Sequence, residues 1–321
     1  MAIVGLAVLA LLLLAACLLV ASVVASGRPG RPISVPAELA DRARHMRHRA
    51  HLRIVLSVLA GSVAGVASTA YFLAVSDGPT VWGVSFLMAV GAGCVTVALL
   101  GPRRESVPSV RSAELTPRLA SSFGPRWAFT APALLAVVLA TSMVLTALSA
   151  TEMDGSSVLA WQDEDGPGSV GPYPGWSTVL PMLLVLMLAA AAFALALRRV
   201  AGWPRPVETE LFGFDDDIRR ATTRMLLFGA TGALLGALGD LAAAVADSWY
   251  IALVNQRLNP PGYPASDPTV AESIWHWLQG AGAVCIVLGM ALMMAAPVAG
   301  LVRRPLLASQ VLPSGDAEVV G

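Results

Sequence analysis

Four side chains gathered near one end of a hydrophobic segment have the chemistry to bind a proton or a cation: Asp240, Asp247, Arg257 and His276. Asp240 lies in an apolar run at 224–250 and is the one ionisable residue placed well inside any hydrophobic segment of the chain. A carboxylate in lipid is costly, so such groups face a bundle interior or a wet cavity and are functional sites by default. Desolvation favours the protonated acid, and an imidazole within reach could share its proton or help hold a cationic group. Asp247 comes seven residues later, on the same face of a helix. Arg257 and His276 are the partners that the nearby surface offers. The competing reading is structural: Asp240 hydrogen-bonds a neighbouring Ser or Thr, or reaches water close to the surface.

The elements that must position these groups are membrane helices. Of 321 residues, 56% are hydrophobic and only 13% charged, which lies outside the range of a soluble domain. Runs of roughly 20 apolar residues match the roughly 30 Å hydrocarbon thickness, because a helix rising about 1.5 Å per residue satisfies its own backbone in lipid. Seven runs meet this description, at about 3–25, 54–75, 81–100, 128–149, 178–197, 225–246 and 278–302. They predict an all-α polytopic bundle in one domain over 1–304, built as one leading helix plus three hairpins, with a short disordered tail at 305–321. On this reading Asp240 sits about 22 Å beyond Met225, in the outer third of the bilayer.

Charge orients the bundle. All 21 basic residues are arginine, and 20 of them fall in segments that share one side if the runs alternate; only Arg257 falls on the other. The positive-inside rule then places the N-terminus outside and the C-terminus in the cytoplasm of a cell-membrane protein. Residues 1–26 lack the basic start of a signal peptide and carry a long apolar run, so the first span is expected to be retained. Cys17 lies in a weak lipoprotein-like box within that run, while Cys17, Cys94 and Cys285 all fall inside spans as small packing residues.

The segment 38–53 alternates Arg42, Arg44, Arg47, Arg49 and Arg53 with apolar residues, as in a helix lying on anionic headgroups or extending the second span inward. His45, His48 and His51 have a spacing that a metal could use, but the arginines around them would repel a cation. Asp215, Asp216 and Asp217 precede Arg219 and Arg220, which suits acids in the first turn of a helix; triple Asp is also raw material for a Mg²⁺ site. The sequence implies neither a cofactor nor a resident metal. An outer loop at 150–177 is too short and too polar to fold alone, and 171–176 turns back to the bilayer through Trp176.

Packing surfaces are plainer than chemistry. Gly229, Gly232, Gly236 and Gly239 form a flat stripe on the segment that carries Asp240, and Ser57, Gly61, Gly65 and Ser68 form another on the second span. An acidic-leucine pair, arginines, a span, an outer loop, a tryptophan, a second span and closing arginines recur three times, a pattern that duplication or topology alone would produce.

The stretch 171–176, the alanine-rich span after it and the stretch 214–222 resemble segments of uncharacterised multi-pass membrane proteins of high-GC actinobacteria, in keeping with abundant arginine and alanine and no lysine. The resemblance implies a membrane bundle and no activity. Without lysine there is no Walker A loop, pyridoxal Schiff base or retinal Schiff base. No histidine lies deep enough for paired haem ligation, and no second deep aspartate completes a proteolytic dyad. No soluble stretch exceeds about 30 residues, which leaves no room for a separate nucleotide-binding, protease or kinase domain, and no nucleic acid is expected as a partner. What remains is a non-enzymatic membrane component, a regulatory or partner subunit whose basic loops meet another protein or anionic headgroups. The alternative is a small-solute or proton-linked ion carrier working near Asp240.

Overall fold

The computed structural model describes residues 33–75, 81–101, 123–124, 126–153, 156–163, 166–258, 270–300 and 306–309. The first expected span, 3–25, lies outside the described residues. Within them the chain forms six helices: α1 (Ala40–Val75), α2 (Val81–Leu99), α3 (Arg126–Ser149), α4 (Trp176–Ala201), α5 (Phe212–Leu258) and α6 (Val270–Gly300). Each is long and apolar enough to cross a membrane, so this is a multi-pass membrane protein.

Two helices outrun the hydrocarbon by the most. The arginine-rich segment 40–53 continues without a break into the span that follows, so α1 reaches 36 residues. With 47 residues, α5 is about 70 Å long, more than twice the thickness that needs crossing. The acids and arginines at 215–220 form its first turns rather than a separate loop element. The end of the bundle carrying these charged extensions is called here the basic end, and the opposite end the far end.

The centre of the bundle is α5. In its most apolar stretch 83% of residues are buried, against 39% or fewer in each of the other five helices. Helices α2, α3, α4 and α6 all pack on it, α6 most extensively. That contact is backbone on backbone: a Cβ added to Gly232 would fall 2.7 Å from the Gly289 carbonyl oxygen, and one added to Gly239 would fall 2.6 Å from that of Gly282. Gly236 instead accepts the Phe86 ring of α2, with ring carbons from 2.7 Å of the same imaginary Cβ. Gly229 differs, meeting nothing closer than Val90 at 3.9 Å. On α1, Gly61 lies against the Ala89 carbonyl and Gly65 against the Ala89 methyl of α2.

The loop at 150–177 is not bare. Strands β2 (Thr151–Met153), β3 (Ser156–Asp163) and β4 (Gly166–Val170) form an antiparallel meander. Leu159, Val170 and Tyr173 bury against Ala252 near the far end of α5, with Trp161 and Trp249 beside them. Trp161 faces Gly168 across the strand pair, and any side chain at 168 would overlap its indole. A second pair joins β1 (Ile33–Pro36) in parallel to β5 (Leu306–Ser309), inside the segment expected to be a disordered tail. The helical expectation holds for the bulk of the described chain, and short strands, which bury little apolar area and so leave little trace in the hydropathy, are added at both ends of the helical bundle.

Candidate functional site

Asp240 is 5% exposed, held in the interior by the burial of α5 itself. Its Oδ2 accepts a hydrogen bond of 2.8 Å from the backbone N–H of Gly83. Gly83 is the third residue of α2, where the first amide donors have no partner within their own helix. The carboxylate thus caps α2 from a neighbouring helix, at the positive end of that helix's dipole. Glycine is what lets it approach, since a Cβ at 83 would lie 3.2 Å from both Asp240 Oδ2 and Met182 Cε.

The other expected members of the site have other contacts. Asp247 stands about 10 Å further along α5, is exposed, and accepts a 3.0 Å hydrogen bond from Gln279 Nε2. The His276 ring tilts against Tyr250 at 5.8 Å, beside a parallel stack of Trp249 and Trp275 at 5.5 Å. The backbone of Arg257 belongs to α5, and its side chain lies outside the described residues. The acid that drew attention in the sequence is bonded to α2, whereas its expected partners decorate the crossing of α5 with α6. Neither a hydroxyl nor an imidazole is its recorded partner; a backbone amide is.

A second buried charge, which sequence reasoning passed over as one more basic-side arginine, sits at the other end of α5. Arg219 has no exposed surface at all. Its Nε donates to Asp215 Oδ2 at 2.8 Å, its Nη1 to the Val200 and Ala201 carbonyls at 3.1 Å each, and its Nη2 to the Trp203 and Pro204 carbonyls at 2.9 and 3.4 Å. Five N–H donors meet five acceptors, which only the planar fork of a guanidinium can do. Four of those acceptors are carbonyls at and just beyond the end of α4, the negative end of that helix. The Phe123 ring closes over the guanidinium at 5.8 Å. Burial raises the Asp215 pKa, and the charge and hydrogen bond of Arg219 pull it back.

The remaining charges at the basic end are sorted in the same way. Asp216 pairs with Arg205 at 3.7 Å and Asp217 with Arg220 at 3.4 Å, so each of the three consecutive acids answers its own arginine. Arg42 of α1 pairs with Glu208, Arg47 lies 5.6 Å over Phe214, and Arg53 lies 5.0 Å over Trp203. These arginines fasten the α1 extension to the α4–α5 linker and the start of α5. Arg44, Arg49, Arg198 and Arg199 turn outward. His45 and His48 are exposed and His51 is half-buried, its pKa lowered first by burial and then by Arg47 and His48. Among the described residues no three His, Cys, Asp or Glu side chains are placed to hold a metal ion. Cys94 and Cys285 are buried free thiols. No family model, curated protein or solved structure matches the chain.

Proposed function

We propose that this chain is a non-enzymatic component of the cell membrane, a partner or regulatory subunit with its basic end in the cytoplasm. One observation carries the reading: two buried charges of the central helix are engaged on the ends of other helices, Asp240 on α2 and Arg219 on α4, while the buried Asp215 and Asp217 pair with arginines of the same helix. A carrier needs polar groups that exchange partners as the site opens to each side in turn, and a buried charge committed to a helix terminus resists that exchange. The positive-inside distribution of the arginines supports the orientation. The outward Arg44, Arg49, Arg198 and Arg199 provide the surface for an acidic protein segment or for anionic headgroups.

Purification of the tagged chain from native membranes tests this, with a protein partner expected at constant stoichiometry through a second separation step. Recovery of the chain alone, together with solute or proton uptake into liposomes that Asp240→Asn abolishes, would replace the reading with that of a small-solute or ion carrier.

A further inference from the structure

A groove of about 900 Å³ runs between α1 and α2 on one side and α5 and α6 on the other. Its wall on α1 extends from Ser57 to Leu73, about 24 Å of the roughly 30 Å hydrocarbon depth. The lining carries no charged residue. Two of its hydroxyls are already spent, Ser57 Oγ on the Ile54 carbonyl and Thr69 Oγ1 on that of Gly65, each at 2.9 Å. Val66 and Met294 look into the groove from opposite walls and are 70% and 72% exposed. Gly229, the one member of the α5 stripe that no neighbour presses upon, lies in its floor.

The depth of the groove decides what fits. A lipid chain from one leaflet reaches only about half the hydrocarbon thickness, roughly 15 Å, whereas a spanning helix runs along the whole slot. The chain has such an apolar segment to supply. Residues 3–25 contain no charge and would extend about 34 Å as a helix. Where that segment must begin is set by β1, whose Ile33 pairs with Leu306, six residues beyond the end of α6 and seven before the start of α1. The polypeptide upstream of Ile33 therefore leaves the sheet at the basic ends of α1 and α6, the two helices that wall the groove and touch each other only lightly. From residue 25 to residue 33 the backbone reaches at most about 28 Å, enough to enter this groove and short for passing around the bundle.

We propose that residues 3–25 cross the membrane along this groove, filling it as the helix that completes the bundle. Disulfide trapping in native membranes tests it, on a chain freed of its own thiols by Cys17→Ser, Cys94→Ala and Cys285→Ala and given a protease site at 27–30. Equal depth pairs Leu19→Cys with Met294→Cys, about 9 Å from the basic end, and Leu13→Cys with Val66→Cys, about 18 Å from it. Thr69→Cys with Ser85→Cys, whose hydroxyl oxygens are 2.8 Å apart, is the positive control, on a chain whose protease site is placed at 76–79 instead so that the two thiols fall on different fragments. Leu19→Cys with Met187→Cys, which points outward from α4, is the negative one.

After oxidation and cleavage, both groove pairs should hold the two fragments together at least ten-fold more than the Met187 pair does. Fragments that separate while the positive control stays joined, a product of twice the chain mass, or a mature protein that begins beyond residue 25 would each overturn the proposal. A doubled mass would assign the groove to the span of a second copy.

Discussion

Replacing Arg219 by methionine keeps much of the stem volume and removes the guanidinium. The structure gives the cost. Asp215, whose side chain is 8% exposed, would be left as a buried acid without its ion pair. Breaking a buried pair by removing one partner costs about 3–5 kcal/mol. The Ala201, Trp203 and Pro204 carbonyls would also lose the Arg219 donor, at about 1–3 kcal/mol for each that water fails to reach, while the Val200 carbonyl keeps a backbone donor. Taking the pair loss alone, about 4 kcal/mol, and roughly 2–4 °C per kcal/mol for a chain of this size, the midpoint of thermal unfolding should fall by about 8–16 °C. Arg219→Lys keeps the charge but offers three donors for five acceptors, and should fall in between. Arg219→Met combined with Asp215→Leu should recover part of the loss, because the stranded acid is gone while the α4 carbonyls remain uncapped. The measurement is tryptophan fluorescence on heating in a mild detergent, with Arg49→Met as the surface control. If Arg219→Met melts within about 2 °C of the wild type, the buried guanidinium is not what secures the end of α4 and the capping argument fails.

Two further expectations follow from the same contacts. Asp240→Asn keeps an acceptor for the Gly83 amide and should stay within about 1 kcal/mol of wild type, while Asp240→Leu strands that donor and should cost about 1–3 kcal/mol; equal stability of the Leu variant would remove the cap from consideration. Gly239→Ala should destabilise by about 1–3 kcal/mol, since its methyl would meet the Gly282 carbonyl at 2.6 Å, whereas a methyl at Gly229 would make ordinary contact with Val90 at 3.9 Å and Gly229→Ala should be neutral or stabilising by up to about 1 kcal/mol. Paired melting curves of the two alanine variants decide the point, and a reversed order would contradict the packing.

The spans were legible because the bilayer sets their length, and an apolar run of some 20 residues is an unambiguous record of that constraint. Their charged continuations were legible from charge rather than hydropathy, the arginine alternation at 38–53 and the acids at 215–217 each suiting a helix joined to a span, but the contacts that hold them were not, since the charges there are stabilised by one another rather than by lipid. The meander at 151–170 was hidden by composition: Gly166, Pro167 and Gly168 read as loop, and only the register that lays Trp161 over Gly168 explains the last of them. Asp240 stood out as an anomaly, yet its partner was invisible, since a backbone amide has no identity in a sequence. Arg219 was harder still. It adjoins Arg220, identical in type and 43% exposed at its side chain, and only the helical register that puts Asp215, Ile218, Arg219 and Thr222 on the buried face separates them.

The two caps make better sense together than apart. Helices α2 and α4 both run from the far end to the basic end, antiparallel to α5, so α2 begins where α4 began and ends at the level where α4 ends. An anion is stabilising at the start of one and a cation at the finish of the other. Asp240 and Arg219 have those signs at those places, 21 residues and about 32 Å apart along α5, close to the thickness of the hydrocarbon. A slip of α5 by one turn, about 5.4 Å, would pull both charges from their termini at once, whereas the glycine stripe alone permits sliding, because flat backbone surfaces offer similar contacts at neighbouring positions. The stripe therefore supplies closeness and the two charges supply register. A charge retained for register has no need of a substrate, and this division of labour explains why the most conspicuous ionisable residue in the spans is held on the end of a neighbouring helix.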